Sequence, residues 1–314
     1  MRIGVALTVF TFLLSVSSTA VKSSPPGQSA ATAASADISG VWNFATLTPL
    51  ERPAQFANKP FLTNEEAAAF EKERLRAGDQ PLGAGPAIDA LWLERGHVAI
   101  VNGRYITSLV SDPPDGRIPE LTEAAKARIA RRAEAGARSS GPEDRSLSER
   151  CLRSASGPPM FPSADANIVQ IVQTRNYVVL LTEKFHEARI VRLNSPRLSG
   201  ALRSWSGDSR GHWEGSNFVI ETDNFTDKIG LTGRFDENLH LVERFTRTSS
   251  STLLYEVRID DPTVFANPWT VIVPMTRSNE RLYEFACQEG NYSLANILKA
   301  SRAAEQLEGA GQSR

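Results

Sequence analysis

The sequence predicts a mainly β protein: an antiparallel meander that closes as a barrel, with helical segments near the N-terminus and at the C-terminus. Three observations predict it. After Gly157-Pro158-Pro159 the apolar residues fall into a period of two, the spacing of a strand with one buried face. The periodic segments are short and are separated by tight-turn residues at intervals of about 8–15 residues. No long helical pattern lies between them, which argues against parallel βαβ units. Antiparallel strands that would otherwise expose edges tend to close on themselves. A β-sandwich is the rival arrangement.

The elements follow in order. Arg2, the uncharged run Ile3 to Val16 and the small-residue end Ser18-Thr19-Ala20 form the three parts of a secretory signal, with cleavage expected after Ala20. The run is shorter than the ~20 residues of a membrane span, and no Cys follows it to carry a lipid anchor. A periplasmic or secreted protein with no stable membrane span after cleavage is therefore expected. Residues 21–36, rich in Ser, Ala and Pro, read as a flexible leader. One β-rich domain is expected over 37–305, with a helical insertion at about 63–137 and a disordered tail at 306–314. Thr63 with Glu66 three residues on is a capping box and predicts a helix to Arg76, closed by Gly78. Trp92 to Leu109 predicts a strand pair turning at Asn102-Gly103. Asp112-Pro113-Pro114-Asp115-Gly116 is turn chemistry. Thr122 caps a second helix to Ala137, and its Lys126, Arg128, Arg131 and Arg132 read as a solvated face balanced by nearby Glu. Strands are predicted at Ile168–Thr174, Tyr177–Thr182, Phe218–Thr222, Leu239–Thr246, Leu253–Ile259, Trp269–Pro274 and Leu282–Cys287, and a last helix at Tyr292–Leu307.

Composition excludes several classes. The 314 residues carry 35 Lys plus Arg against 36 Asp plus Glu, so no bulk positive charge points to nucleic acid. Hydrophobic residues at 41% and charged residues at 23% are ordinary globular usage. Cys151 and Cys287 allow a single pairing, and in an exported chain a structural disulfide is the expected reading; a free nucleophilic thiol is the alternative. No zinc, P-loop, dinucleotide or nucleophile-elbow motif is present. His97, His186, His212 and His240 never fall at metal-ligand spacing. Neither a metal nor a cofactor is expected, and the oligomeric state is not indicated.

Candidate chemistry concentrates in the apolar stretch Val178 to Leu193, which is interrupted by Glu183, His186, Glu187 and Arg189. On one continuous strand Glu183, Glu187 and Arg189 share a face and His186 points to the other; a bulge would change that register. A carboxylate beside an imidazole raises its pKa, and an Arg steadies a developing oxyanion. Asp208, between Gly207 and Gly211 with Arg210, suits a ligand-facing loop or an Asx turn. Glu183, His186, Arg189 and Asp208 are thus the candidate catalytic group. The bland reading pairs Arg189 with Glu183 or Glu187 on a half-wet sheet face. Trp205, Trp213 and Trp269 are candidate pocket aromatics, and Glu243 a candidate ligand contact that otherwise pairs with Arg244 or Arg258 across strands.

From about Pro113 to Glu305 the chain resembles a family of exported bacterial proteins of uncharacterised activity. The matching stretches include Asp115-Gly116-Arg117-Ile118-Pro119, Gly207-Asp208-Ser209-Arg210-Gly211-His212-Trp213-Glu214-Gly215, Asp260-Asp261-Pro262, Pro268-Trp269-Thr270 and Glu284-Phe285-Ala286-Cys287-Gln288-Glu289-Gly290-Asn291-Tyr292. Where that family places His after the last Cys, this chain has Gln288. Gly40-Val41-Trp42 is similar to the first-strand Gly-x-Trp of lipocalin-like barrels. That resemblance implies a cup whose Trp plugs the closed end. Two readings follow: an exported acid/base enzyme of lyase, isomerase or hydrolase type acting on a small molecule in the cup, and an exported binding protein for a hydrophobic or amphiphilic small molecule.

Overall fold

The computed structural model describes residues 37–78, 94–153, 157–227 and 235–312. The expected signal, the leader and Trp92 lie outside these residues. In chain order the strands and helices are β1 (Gly40–Asn43), β2 (Phe61–Leu62), α1 (Asn64–Gly78), β3 (Ile100–Val101), β4 (Arg104–Ile106), β5 (Val110–Asp112) and α2 (Glu123–Arg138). Then come β6 (Ile168–Gln173), β7 (Tyr177–Thr182), β8 (Ala188–Leu193), β9 (Asp208–Glu214), β10 (Asn217–Asp223), β11 (His240–Arg247), β12 (Thr252–Asp260), β13 (Trp269–Ser278) and α3 (Tyr292–Gln312).

β1 and β6 to β13 form a closed nine-stranded barrel of lipocalin-like character, in which β13 returns to β1 through Trp42 opposite Arg277. β5 adds to the free part of β13's edge. Every neighbouring pair of the barrel is antiparallel except β8 with β9. Parity demands that exception. An odd number of strands cannot alternate direction all the way round a closed ring, so one neighbouring pair must run parallel. The connection from Asn194 to Gly207 returns the chain to the starting end. Within the expected helical insertion, β2, β4 and β3 make a small separate sheet. Its β3–β4 hairpin turns at Asn102-Gly103, both at positive φ. The capping box forms as expected: the Thr63 N–H donates to Glu66 Oε2 at 2.9 Å and the Glu66 N–H to Thr63 Oγ1 at 3.3 Å. Thr122 caps α2, accepting from the Ala125 N–H.

Four expectations change. Val178 to Leu193 is not one strand, because a 3-10 turn at Lys184–His186 divides it, with Phe185 and His186 both at positive φ. Asp208–Glu214 is a strand rather than a loop. Its inward residues Ser209 and Gly211 are small, which hid the period-two pattern. Leu282–Cys287 is irregular backbone, because the chain leaves the barrel to reach Cys151. Helix α3 continues through the expected tail to Gln312.

The registers place Trp42, Val169, Ile171, Val178, Leu180, Val191, Phe218, Ile220, Phe245, Tyr255, Val257, Val271 and Val273 in one buried cluster inside the barrel. Trp42 is fully buried, its indole N–H donates to the Ile38 carbonyl, and the Arg247 and Arg277 guanidiniums lie over its ring. Gly211 shows how tight the packing is. A Cβ there would stand 2.6 Å from Phe218 Cζ and 2.8 Å from Val191 Cγ1. Gly211→Ala is expected to lose about 1–3 kcal/mol by overpacking. Gly200→Ala meets nothing within 4 Å and is the neutral control. Urea denaturation of both variants checks the contrast; equal midpoints would show that the interior yields.

The expected hollow is thus largely filled. Beyond the strands, the segment Gly157–Phe161 enters the barrel, with Met160 and Phe161 buried, Phe161 stacked on Trp269 and the Met160 N–H donated to the Tyr255 hydroxyl at 3.1 Å. A cavity of about 10 Å³ lies between Met160 of this plug and Leu180, Thr182, Glu187 and Arg189.

Candidate functional site

Period two sets the site. On β11, Leu241, Glu243 and Phe245 share the inward row; on β8, Arg189 and Val191 do; on β12, Leu253, Tyr255 and Val257 do. Closure brings a charge of each sign together in an apolar interior. Arg189 Nη1 donates to Glu243 Oε1 at 3.0 Å and Nη2 to Glu243 Oε2, a bidentate pair with Glu243 fully buried. Arg189 Nε donates to Ser209 Oγ at 2.9 Å and Nη2 to Thr222 Oγ1 at 3.1 Å. The Tyr255 hydroxyl donates to Glu243 Oε1 at 2.8 Å. Burial alone would lower the Arg189 pKa, but the charge and hydrogen bonds of Glu243 outweigh it and hold it raised. Burial pushes the Tyr255 phenol well above its usual range, with the Glu243 charge adding to it, so the hydroxyl remains a proton donor.

A second charged pair stands nearer the plug. Arg153 Nε donates to Glu187 Oε1 at 2.9 Å, and the Ser206 hydroxyl donates to the same oxygen at 2.7 Å. Arg153 also donates to the carbonyls of Trp205 and Gly157, which ties the plug's first residue to the β8–β9 connection. Glu187 Oε2 is buried without a hydrogen-bond partner. Glu187 lines the cavity beside Arg189 and acts on its charge.

Of the candidate catalytic group, only Arg189 faces the interior. His186 sits on the turn, exposed, with its Nδ1 accepting from the Phe285 N–H at 3.3 Å. Asp208 holds the β8–β9 connection, accepting from Arg192 Nη2 at 2.8 Å and from the Leu198 N–H at 2.9 Å. Glu183 stands at the turn with its Oε2 buried and unpartnered. None of these three pairs with Arg189, whose partners are Glu243, Ser209 and Thr222. The expected pairing of Arg189 with Glu183 or Glu187 is corrected to Glu243, and that of Glu243 with Arg244 or Arg258 to Arg189; Arg244 reaches Glu214 instead. The barrel, and not strand adjacency, selects these partners. Trp213 packs inward against Phe218, Trp269 is buried against Phe161 and Phe265, and Trp205 is partly exposed on the β8–β9 connection. Cys151 and Cys287 stand at disulfide distance, Cα to Cα 5.7 Å. None of Tyr255, Arg153, Ser209 and Thr222 was among the residues that the sequence pattern marked for the site. The one local signal was Glu243 standing in an otherwise apolar period-two row.

Glu183 carries a pH prediction. Burial first, then the neighbouring charges of Glu94, Glu280 and Asp165, push its carboxyl from 4.5 up to about 7. A raised folded pKa stabilises below the ordinary value, and that contribution is lost as pH rises through about 7. Glu183→Gln is therefore expected to flatten the stability profile between about pH 5 and pH 8 and to exceed the wild type at the alkaline end. Denaturation midpoints across pH check it; parallel wild-type and variant profiles refute it.

Among the described residues, no group of three or more His, Cys, Asp or Glu could hold a metal ion, and no helix is long and apolar enough to cross a membrane. Comparison with protein-family models, curated proteins and solved structures finds no match.

Proposed function

We propose that this is an exported binding protein that takes a small, largely apolar molecule into the plugged mouth of its barrel, against the Arg189–Glu243–Tyr255 layer. One observation carries the reading: a bidentate ion pair, buried in an apolar barrel, adjoins a cavity whose opposite wall is a segment other than a strand. Buried ion pairs add little net stability, because the desolvation of two charges offsets their attraction. Their retention supports a role in recognition. Of the plug residues that wall the cavity, Gly157, Pro158 and Met160, the last has a flexible side chain suited to yielding its place. Acid/base chemistry by Glu183, His186, Arg189 and Asp208 would need them around one cavity, and they are dispersed; binding is the better supported reading.

Titration with N-phenyl-1-naphthylamine, an uncharged fluorescent apolar probe, tests it. Saturable binding of one probe per chain is expected. Leu180→Phe, which adds bulk toward the cavity from β7 at an overpacking cost of about 1–3 kcal/mol, is expected to weaken it at least about tenfold while thermal unfolding stays cooperative. Absence of saturable binding by the wild type, or undiminished binding by a folded Leu180→Phe variant, overturns the proposal.

A further inference from the structure

The cavity wall narrows the class of molecule. A guanidinium has five N–H donors. Four of those on Arg189 are used by Ser209, Thr222 and the two oxygens of Glu243, which leaves one Nη1 hydrogen. On the same wall Glu187 has an unpartnered, buried Oε2. Arg189, with one spare donor, and Glu187, with one spare acceptor, thus both line a space of about 10 Å³, which is about the room one oxygen atom with its hydrogen needs.

Charge excludes the ionic heads. Arg153 pairs with Glu187 and Arg189 with Glu243, so the surroundings of the cavity are neutral as a whole. A carboxylate placed there would bring a second negative charge beside Glu187, whose cation Arg153 is already paired. An ammonium would sit beside two buried guanidiniums. An amide offers both hydrogen-bonding roles but is two heavy atoms larger than the space admits. A hydroxyl offers both on one oxygen: it accepts from Arg189 and donates to Glu187. The rest of the molecule would lie against Leu180 and the space yielded by Met160, both apolar.

Building on the binding reading above, we infer that the bound molecule is an apolar alcohol whose hydroxyl lies between Glu187 and Arg189. Competition of decanol, decanoic acid, decylamine and decane against the fluorescent probe at neutral pH tests it. Decanol is expected to compete about ten- to a hundredfold better than the acid, the amine and the alkane, the usual weight of a hydrogen bond to a charged group. Glu187→Ala is expected to remove most of the advantage of decanol over decane, and Glu187→Gln, which keeps an acceptor, to restore part of it. Decanoic acid or decylamine competing as well as decanol overturns the inference and leaves the binding reading standing. An alcohol preference unchanged in a folded Glu187→Ala variant overturns it too. Failure of all four to compete, with no saturable binding of the probe itself, overturns the binding reading and the inference with it.

Discussion

Arg189→Met is expected to destabilise the protein by about 3–5 kcal/mol, because it leaves Glu243 charged, fully buried and without its cation. Removing the other partner has the same consequence: Glu243→Leu leaves the guanidinium with only Ser209 and Thr222. The double variant Arg189→Met/Glu243→Leu is expected to recover most of the loss. Two apolar side chains of similar volume replace the pair, and no charge remains to be desolvated. The polar neighbours do not lose everything in that variant. Ser209 and Thr222 already hydrogen-bond each other at 3.0 Å, and the Tyr255 hydroxyl still accepts from the Met160 N–H. The four proteins form a double-mutant cycle, measured by urea denaturation. Additive losses in the double variant would show that the two charges act independently, and a loss below about 1 kcal/mol in either single variant would show that water reaches the pair. If the double variant is stable and no longer binds the apolar probe with its alcohol preference, the pair serves recognition rather than folding.

That pair also shows how much was legible beforehand. The helix starts were, because Thr63 with Glu66 and Thr122 with Ala125 act within three residues. Most strands of the carboxyl-terminal half were, because side-chain alternation is local and their inward rows are mostly apolar. Glu243 could be placed on an inward row by the same rule. Its partner could not: Arg189 is 54 positions away and meets it across the barrel, through closure that no local pattern expresses. The surface position of His186 rests on two consecutive residues at positive φ, Phe185 and His186, neither of them glycine, so composition carried no sign of the turn. β9 was missed for the opposite reason. Of its inward residues only Trp213 is large; Gly211 is small because Phe218 and Val191 already occupy the space a Cβ there would need. The plug was hidden as well, since a run of Gly and Pro reads as a loop wherever it lies.

Replacing Cys151 and Cys287 together by Ala is expected to lower stability by about 2–5 kcal/mol, toward the upper end for so long a loop on the chain-entropy view. The bridge spans 136 residues, a loop that contains every barrel strand except β1. Entropy of the unfolded chain is only part of the argument, because the bridge also has a local task. It joins the stretch leading to Arg153 and the plug to the irregular segment after β13. That segment brings Phe285 to stack on Phe185, ring centroids 5.1 Å apart, and to donate its N–H to His186. Asn291 adds donors to the Glu149 carbonyl and to Cys151 Sγ. Without the bridge these weak contacts alone hold the segment against the turn. Hydrogen exchange separates the two contributions. Loss of protection confined at first to residues around Phe285 and the His186 turn, well before the barrel strands open, is expected if the bridge fastens this end of the molecule. Uniform loss across the barrel with the Phe285 region unchanged would assign the whole effect to the unfolded chain. An unaltered unfolding midpoint under a reducing dithiol that opens the bridge would remove the stabilising role altogether.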